Sequence, residues 1–287
     1  MRKSKAQRTC GRTYAGIKKK RGLVMKLRGN YPAVEARNAS FVERICQLKS
    51  DHPFWGYRRI WAHLTYVDGL EISKHRVERL MKQHDLHVKK NMKLKAIRRA
   101  DTKKPKPARP NQWWGIDMTK VMIEGFGWIY VVIVIDWHTK KVVGHYAGLQ
   151  SKAWHWLIAL NKAVNRQFPE GARGQDVHLM SDNGCQPTAT SFMAACHALD
   201  IHQAFTSYNN PKGNADTERF MRTLKEEFAW LREWNSPTSF IEDLDKWIDY
   251  YNAAYLHSTL GYKPPSIFEQ QVLTHNKQQQ TPLKYAC

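Results

Sequence analysis

The sequence contains few cysteines and no long apolar segment. Its five cysteines form no CxxC pair, and a zinc site built from Cys185, Cys196, His197 and His202 would match no standard spacing. No stretch approaches the ~18 consecutive apolar residues of a membrane helix. The basic start also lacks the apolar core of a secretory signal. These absences predict a reduced, cytoplasmic protein without a membrane segment.

Acidic residues are scarce in the first part of the chain. Residues 1–110 contain 30 Lys and Arg against 8 Asp and Glu, whereas residues 111–287 contain 16 against 17, so the first part carries all of the net charge of +21. A basic segment of this length attracts a polyanion, most commonly nucleic acid. The alternative is a solubilising or ribosome-associated tail, which the helical periodicity of this part disfavours.

Three short helices are predicted within residues 38–88. Apolar residues recur at helical spacing over residues 39–49 and 54–66, and Ser73 is placed to cap a third helix after a tight turn. A tight turn before a basic last helix is typical of a helix-turn-helix domain, whose last helix enters the major groove of DNA. The residues expected to contact DNA are Arg58, Arg59, Lys74, His75, Arg76, Arg79 and Lys82.

Basic segments flank this domain. Residues 1–37 are predicted to form a flexible basic arm, because apolar residues are few there. Residues 89–110 are predicted to form an extended linker, because prolines and mutually repelling charges oppose regular structure. Lys103 and Lys104 in this linker are further candidate DNA contacts. A boundary near residue 110 leaves a core over residues 111–270 and a tail over residues 271–287.

The core alternates strands and helices in the order β-β-β-α-β-α-β-α. The run Trp128–Asp136 is almost continuously apolar, as expected of a strand buried on both faces. Three antiparallel strands followed by αβ units predict a mixed α/β sheet with helices on both faces, which is the layout of the ribonuclease-H-like fold. The predicted strands are residues 113–121, 128–136, 140–148, 176–182 and 201–207, and the predicted helices are residues 151–168, 188–199 and 212–231.

Three carboxylates are expected to meet at one edge of this sheet. Asp117 lies within the first strand, where an unpaired charge is unfavourable. Asp182 ends the fourth strand, the parallel neighbour of the first, and Glu218 lies on the last helix, which can pack across the same edge. Phosphodiester chemistry with two divalent cations needs several carboxylates within a few ångströms. Each aspartate alone fits a cap or turn residue equally well, so the inference depends on the set of three.

Other carboxylates of the core fit this site less well. If the first two strands form a hairpin, Asp117 lies opposite about Val132, which leaves Asp136 roughly 13 Å away. Asp176 begins the fourth strand, at the wrong end, and Asp216 faces elsewhere on the last helix.

Two cations lie on the Glu218 side of the last helix. Lys225 follows Glu218 by two helical turns and Arg222 by one, so both share its face. A cation beside a metal site can hold a DNA phosphate. The alternative for Lys225 is an ordinary surface pair with Glu226 or Glu227.

The carboxylate spacing and the local motifs resemble those of a known family. Thirty-five residues separate Asp182 from Glu218, which is similar to the D,D-35-E signature of integrases and transposases. Together the motifs resemble the OrfB-type transposases of the insertion-sequence-three family over about residues 40–270. The segments that carry the resemblance are HPFWGYRRI (52–60), WGIDMT (114–119), SDNG (181–184), NPKGNADTERF (210–220), LKEE (224–227) and HSTLGYKPP (257–265).

This resemblance implies a DNA transposase, a polynucleotidyl transferase that cleaves and joins DNA at the ends of a bacterial insertion sequence. It implies that Asp117, Asp182 and Glu218 are both the catalytic residues and the ligands of two Mg²⁺ ions, for which Mn²⁺ can substitute. The expected partners are the terminal inverted repeats, target DNA and at least a second copy of the chain on DNA. An upstream-frame OrfA partner or fusion is also expected, because this chain shows no sustained heptads of its own.

Two departures from the family pattern bear on DNA contacts near the site. Cys185-Gln186-Pro187 stands where the family often has a Gln-Tyr pair, and residues 214–218 read NADTE rather than the commoner Asp-Asn-Ala form. From the residues alone, two other functions stay open: a stand-alone ribonuclease-H-like nuclease, and a non-enzymatic DNA-binding regulator or subunit that needs the upstream-frame partner.

Overall fold

A computed structural model of the protein describes residues 32–88, 105–206 and 214–280. Most of the predicted basic arm and most of the linker, including Lys103 and Lys104, lie outside these residues. The chain divides into two compact units, residues 1–45 and residues 46–287. No helix in the described part is long and apolar enough to cross a lipid bilayer.

The N-terminal helices are α1 (Pro32–Asp51), α2 (Tyr57–Tyr66) and α3 (Lys74–Gln83). The predicted cap of α3 is confirmed, because Ser73 Oγ accepts a hydrogen bond from Arg76 N–H at 3.3 Å. The start of α2 was predicted three residues too early. Gly56 is still extended, with φ −82° and ψ 166°, and the preceding proline at position 53 cannot donate a helical hydrogen bond.

Five strands form one mixed sheet in the order β3-β2-β1-β4-β5. The first three strands pair antiparallel, and β4 pairs parallel with both β1 and β5. The predicted order of strands and helices is therefore confirmed. The strands are β1 (Trp113–Ile123), β2 (Gly127–Asp136), β3 (Val142–Gly148), β4 (Val177–Ser181) and β5 (Ile201–Phe205), and the helices are α4 (Ala153–Gln167), α5 (Thr190–Ala198), α6 (Ala215–Leu224), α7 (Pro237–Ala254) and α8 (Pro265–Gln280).

Helices cover both faces of the sheet. Alternate residues of β2 enter two separate hydrophobic clusters, as the two-residue period of a strand requires. Val132 and Val134 pack with Trp156 of α4, whereas Ile133 and Ile135 lie in the cluster that holds α6 and α7. β2 is thus buried on both sides, as its continuous apolar run predicts.

The end of the chain differs from the prediction at two places. The last helix of the core was predicted to run to residue 231, but α6 ends at Leu224 and a π-helical turn, Lys225–Ala229, follows. Its wider hydrogen bond joins Trp230 N–H to the carbonyl oxygen of Lys225 at 2.9 Å. In addition, α8 continues to Gln280, beyond the predicted end of the core at residue 270.

Candidate active site

β1 and β4 bring two aspartates to one edge of the sheet. The two strands run in the same direction, and their last pair is Gly115 with Met180. Asp117 and Asp182 each follow this last pair by two residues. Asp182 is exposed, and one of its carboxylate oxygens accepts a hydrogen bond from Gly184 N–H at 3.1 Å. The parallel pairing predicted for these strands therefore places both aspartates at the same end.

Helix α6 lies directly on β1 at a glycine. A Cβ atom at Gly115 would lie 1.9 Å from Thr217 Oγ1 and 2.4 Å from Trp137 Nε1, so only glycine permits this approach. The indole N–H of Trp137 donates to the same Thr217 oxygen at 3.0 Å. Because Glu218 follows Thr217, this close packing carries Glu218 to the edge at which Asp117 lies.

The negative charges of Asp182 and Glu218 contribute to a raised pKa of Asp117. The pKa of Asp117 is raised from 3.8 to about 6, chiefly by burial and also by repulsion from the two other carboxylates. The Met118 N–H, which donates to Asp117 Oδ1 at 2.8 Å, and the charge of Lys225 oppose this rise. Like charges that converge on a partly buried carboxylate are unfavourable unless a cation joins them.

Asp117, Asp182 and Glu218 do not form a metal site as they stand in the structure. Among the described residues, no three His, Cys, Asp or Glu side chains stand close enough to one another to hold a metal ion. The donor chemistry of the edge is nevertheless that of a hard cation, because Asp117, Asp182 and Glu218 offer carboxylate oxygens only. The segment 207–213, which precedes α6, lies outside the described residues.

The hairpin register differs by one residue from the prediction. Asp117 lies opposite Ile133 rather than Val132, and Asp136 lies opposite Trp114. Asp136 is therefore three residues along the strand from the position opposite Asp117, or about 10 Å. This separation still excludes Asp136 from sharing an ion with Asp117.

The other aspartates considered for the site have structural partners. Asp136 is fully buried and accepts a hydrogen bond inside the turn after β2, whereas Asp176 and Asp216 form ion pairs. The contacts are Asp136 Oδ2 with Thr139 Oγ1 at 2.7 Å, Asp176 with Arg109 at 3.5 Å, and Asp216 with Lys140 at 3.2 Å.

Lys225 and Arg222 both follow Glu218 in the chain, Arg222 within α6 and Lys225 directly after it. Lys225 begins the π-helical turn, and its charge lowers the pKa of Asp117. Arg222, whose side chain is 74% exposed, donates to Glu226 Oε1 at 2.7 Å. Glu226, which the sequence offered as a surface partner for Lys225, is thus paired with Arg222.

Glu227 forms a connection that the sequence did not predict. Only 6% of its side chain is exposed. Its carboxylate accepts hydrogen bonds from Trp55 Nε1 at 3.0 Å, from Tyr255 Oη at 2.6 Å and from the guanidinium of Arg59. The Arg59 guanidinium also lies over the Tyr255 ring at 4.5 Å. Arg59, predicted to contact DNA, is therefore bound to the turn that follows α6.

The remaining predicted DNA contacts lie on the surface of α2 and α3. Lys74 lies 4.1 Å from the centre of the Trp61 ring. The exposed residues of the predicted set are Arg58, Lys74, His75, Arg79 and Lys82, and Arg76 is half-buried. Their orientation leaves a basic outer surface on α3.

The cysteine and histidine set considered as a zinc site does not assemble. Cys196 is buried in α5, where burial raises the pKa of its thiol to about 12, whereas Cys185 is exposed. Cys196 therefore acts as a packing residue, as its place on a predicted helix suggested.

Comparison with protein families gives matches along most of the chain. A family described as Integrase core domain matches residues 107–211, a second family with the same description matches residues 199–265, and an HTH-like domain family matches residues 35–99. Transposase InsD for insertion element IS2A/D/F/H/I/K of Escherichia coli is 25% identical over 236 residues, which are 79% of this chain and 77% of that protein.

Solved structures show weaker likeness. The simian T-cell lymphotropic virus intasome in complex with PP2A regulatory subunit B56 gamma is 15% identical, with a TM-score of 0.49 over 84% of this chain and 76% of that one. The HTLV-2 integrase catalytic core domain in complex with magnesium is 14% identical, with a TM-score of 0.44 over 57% of this chain and 99% of that one. The sequence matches show what the chain is similar to: an HTH-like domain over residues 35–99, followed by an integrase core domain over residues 107–265.

Proposed function

We propose that the chain catalyses metal-dependent cleavage and strand transfer of DNA at the ends of a bacterial insertion sequence. The observation that carries this proposal is the electrostatic environment of Asp117, a partly buried carboxylate within reach of the charges of Asp182 and Glu218. A position of this kind is unfavourable for structure alone, whereas it suits the capture of divalent cations. The family relationship supports DNA transposition as the general activity.

Asp117, Asp182 and Glu218 would hold two Mg²⁺ ions, or Mn²⁺ in their place. When bound, such ions activate a water or a 3′-hydroxyl and stabilise the leaving oxygen in an in-line displacement at phosphorus. The pKa of the Asp117 carboxyl is raised to about 6, chiefly by burial, so this group becomes protonated as the pH falls below this value. Ion binding is therefore expected to strengthen as the pH rises through this range.

The basic residues of the chain would position DNA at this edge. Lys225 places a positive charge beside Asp117, where it can hold a phosphate next to the scissile bond. The basic surface of α3, with Arg222, would bind the terminal inverted repeats or target DNA away from the carboxylates. Joining two element ends requires at least two copies of the chain on DNA, and recognition of those ends would draw on an upstream-frame partner.

The proposal is tested by incubating the purified chain with Mg²⁺ and labelled DNA that carries the ends of the element. We expect joined products from the wild-type chain, and at least a hundredfold less joining from Asp182→Asn, with DNA affinity unchanged. The matched control is Asp176→Asn, directly before β4, where Asp176 has φ 53°, a conformation that asparagine tolerates well.

Three results would overturn the proposal. If Asp182→Asn still joins DNA, the assignment of Asp117, Asp182 and Glu218 as the catalytic residues is wrong. Cleavage without any joining assigns a nuclease instead, and DNA binding without cleavage in the presence of the upstream-frame partner assigns a regulator.

A further inference from the structure

A groove of about 940 Å³ lies beside Glu218. One wall is α2 with the residues before it, from Phe54 to Arg59, and a second wall is the exposed side of α6. The turn at residues 256–259, together with Tyr262, closes a third side. Because Glu218 itself lines the groove, a polymer bound in the groove would reach this carboxylate.

Two arginines of the groove have no carboxylate partner within the part of the chain that the structure describes. Of its basic residues, Arg59, Lys140 and Arg222 form ion pairs with Glu227, Asp216 and Glu226. None of the ion pairs within the described residues involves Arg58 or Arg219, and both side chains are exposed. Arg58 is on α2 and Arg219 is on α6, so two different elements contribute these charges to the groove.

Aromatic rings accompany these charges. Arg58 Nε donates to Tyr57 Oη at 3.2 Å on one wall. On the other side, Tyr262 stacks against Tyr66, with ring centres 5.9 Å apart. Tyr57 and Tyr262 both line the groove and are only half-buried. Guanidinium groups alternating with aromatic rings are the features that bind an unpaired nucleic-acid strand.

The walls of the groove are fixed before any ligand arrives. Glu227 joins Trp55 and Arg59 of the α2 wall to the turn that follows α6. Tyr255, next to the third wall, donates to the same carboxylate. A groove whose sides are bonded to one another needs little rearrangement on binding, which favours affinity.

We propose that this groove binds a single strand of DNA, with Arg58 and Arg219 on phosphates and with Tyr57 and Tyr262 as surfaces for base stacking. The proposal rests on the proposed function in one respect, that the strand continues to the carboxylates at Glu218. A single strand fits the groove better than a duplex does, because the bases of a duplex are already paired and stacked and offer the tyrosines no open face.

The test measures DNA affinity without catalysis. The full chain is titrated, in EDTA, into a fluorescent oligothymidylate of about 12 nucleotides and into a duplex of the same length, and anisotropy is recorded at several salt concentrations. The variants are Arg58→Ala, Arg219→Ala and Tyr57→Leu. The control is Arg166→Ala, which removes the same charge from the exposed side of α4.

We expect Arg58→Ala and Arg219→Ala each to weaken single-strand binding about fivefold or more and to lower the salt slope by about 0.7, while Arg166→Ala changes neither. Tyr57→Leu should weaken single-strand binding more than duplex binding. Arg58 is exposed and forms no ion pair among the described residues, so its variant is expected to keep the wild-type circular dichroism spectrum and Tm.

The groove proposal is overturned if the two arginine variants bind like Arg166→Ala, or if every variant loses duplex and single-strand affinity equally. Its failure can be told from failure of the proposed function. If the variants lose single-strand affinity but the chain shows no Mg²⁺-dependent joining, the groove proposal stands and the proposed function is rejected. If the chain joins DNA but the variants lose no single-strand affinity, only the groove proposal is rejected.

Discussion

At the scale of single residues, the ionised form of Asp117 opposes folding. Its pKa in the folded chain is about 6, above the ordinary value of 3.8, chiefly because it is buried. A group with a raised pKa contributes to stability at low pH, and this contribution is lost as the pH rises through the folded value. A shift of this size corresponds to roughly 3 kcal/mol, of which solvent screening removes a part.

Replacing the charge should therefore stabilise the metal-free protein. We expect Asp117→Asn to raise the free energy of unfolding by about 2 kcal/mol at pH 8 in EDTA and to have little effect near about pH 4, where the carboxyl is already neutral in the folded state. Thermal unfolding of both proteins at the two pH values measures this. A loss of Tm at pH 8 would contradict the electrostatic origin of the shift.

Candidate site residues could be predicted from the sequence where their position in a local strand pattern is unusual. Asp117 could be found because it is a charged residue within a strand, and Asp182 because it directly follows one. Glu227 could not, because its partners Trp55 and Arg59 lie 172 and 168 residues away in the chain. No spacing or periodicity relates them, and only the tertiary structure joins them.

At the scale of elements, the contact between α6 and β1 depends on the absence of a side chain at Gly115. Gly115→Ala would place a methyl group 1.9 Å from Thr217 Oγ1, so α6 must shift away from Asp117. We expect a loss of about 2 kcal/mol in the free energy of unfolding, typical of overpacking, together with reduced joining activity.

Chemical denaturation and the joining assay measure both effects of that substitution. Gly56→Ala is the matched control, because nothing lies within 4 Å of a Cβ atom there and the backbone has φ −82°. Equal stability of the two variants would show that α6 is not held where the structure has it.

The ion pair between Glu227 and Arg59 leads to a second prediction at the scale of elements. Glu227→Gln leaves the guanidinium of Arg59 without its anion, and we expect a loss of about 2 kcal/mol, below the range for fully buried pairs because 28% of the Arg59 side chain is exposed. In a double-mutant cycle with Arg59→Met, measured by urea unfolding, the coupling energy should exceed about 1 kcal/mol. Additive effects would mean that the two side chains do not interact.

Most elements could be predicted from apolar periodicity, and their irregularities could not. The continuous apolar run of β2 and the helical spacing on α2 identified type and order correctly. The π-helical turn at Lys225–Ala229 was missed, because its sequence continues a helical pattern. The anchoring of Glu227 within that turn is a tertiary contact, and such contacts override local preference.

At the scale of the whole molecule, the excess positive charge and the three candidate catalytic carboxylates lie in different parts of the chain. The first 110 residues hold the entire positive excess, whereas residues 111–287 are nearly neutral and hold the three carboxylates. The sequence predicted this division and the two matching domain types. It did not predict that α2 is bound to the turn after α6, so that a helix of the basic part forms one side of the groove beside Glu218.

The shared cation site is tested most directly by titrating Mn²⁺ into the full chain bound to DNA that carries an element end, with bound ions counted by electron paramagnetic resonance. We predict two ions per site in the wild-type chain. Asp117→Asn, Asp182→Asn and Glu218→Gln should each weaken their binding by about tenfold or more, and Asp176→Asn should not. Unchanged Mn²⁺ binding in Glu218→Gln would contradict the joint role of the three carboxylates.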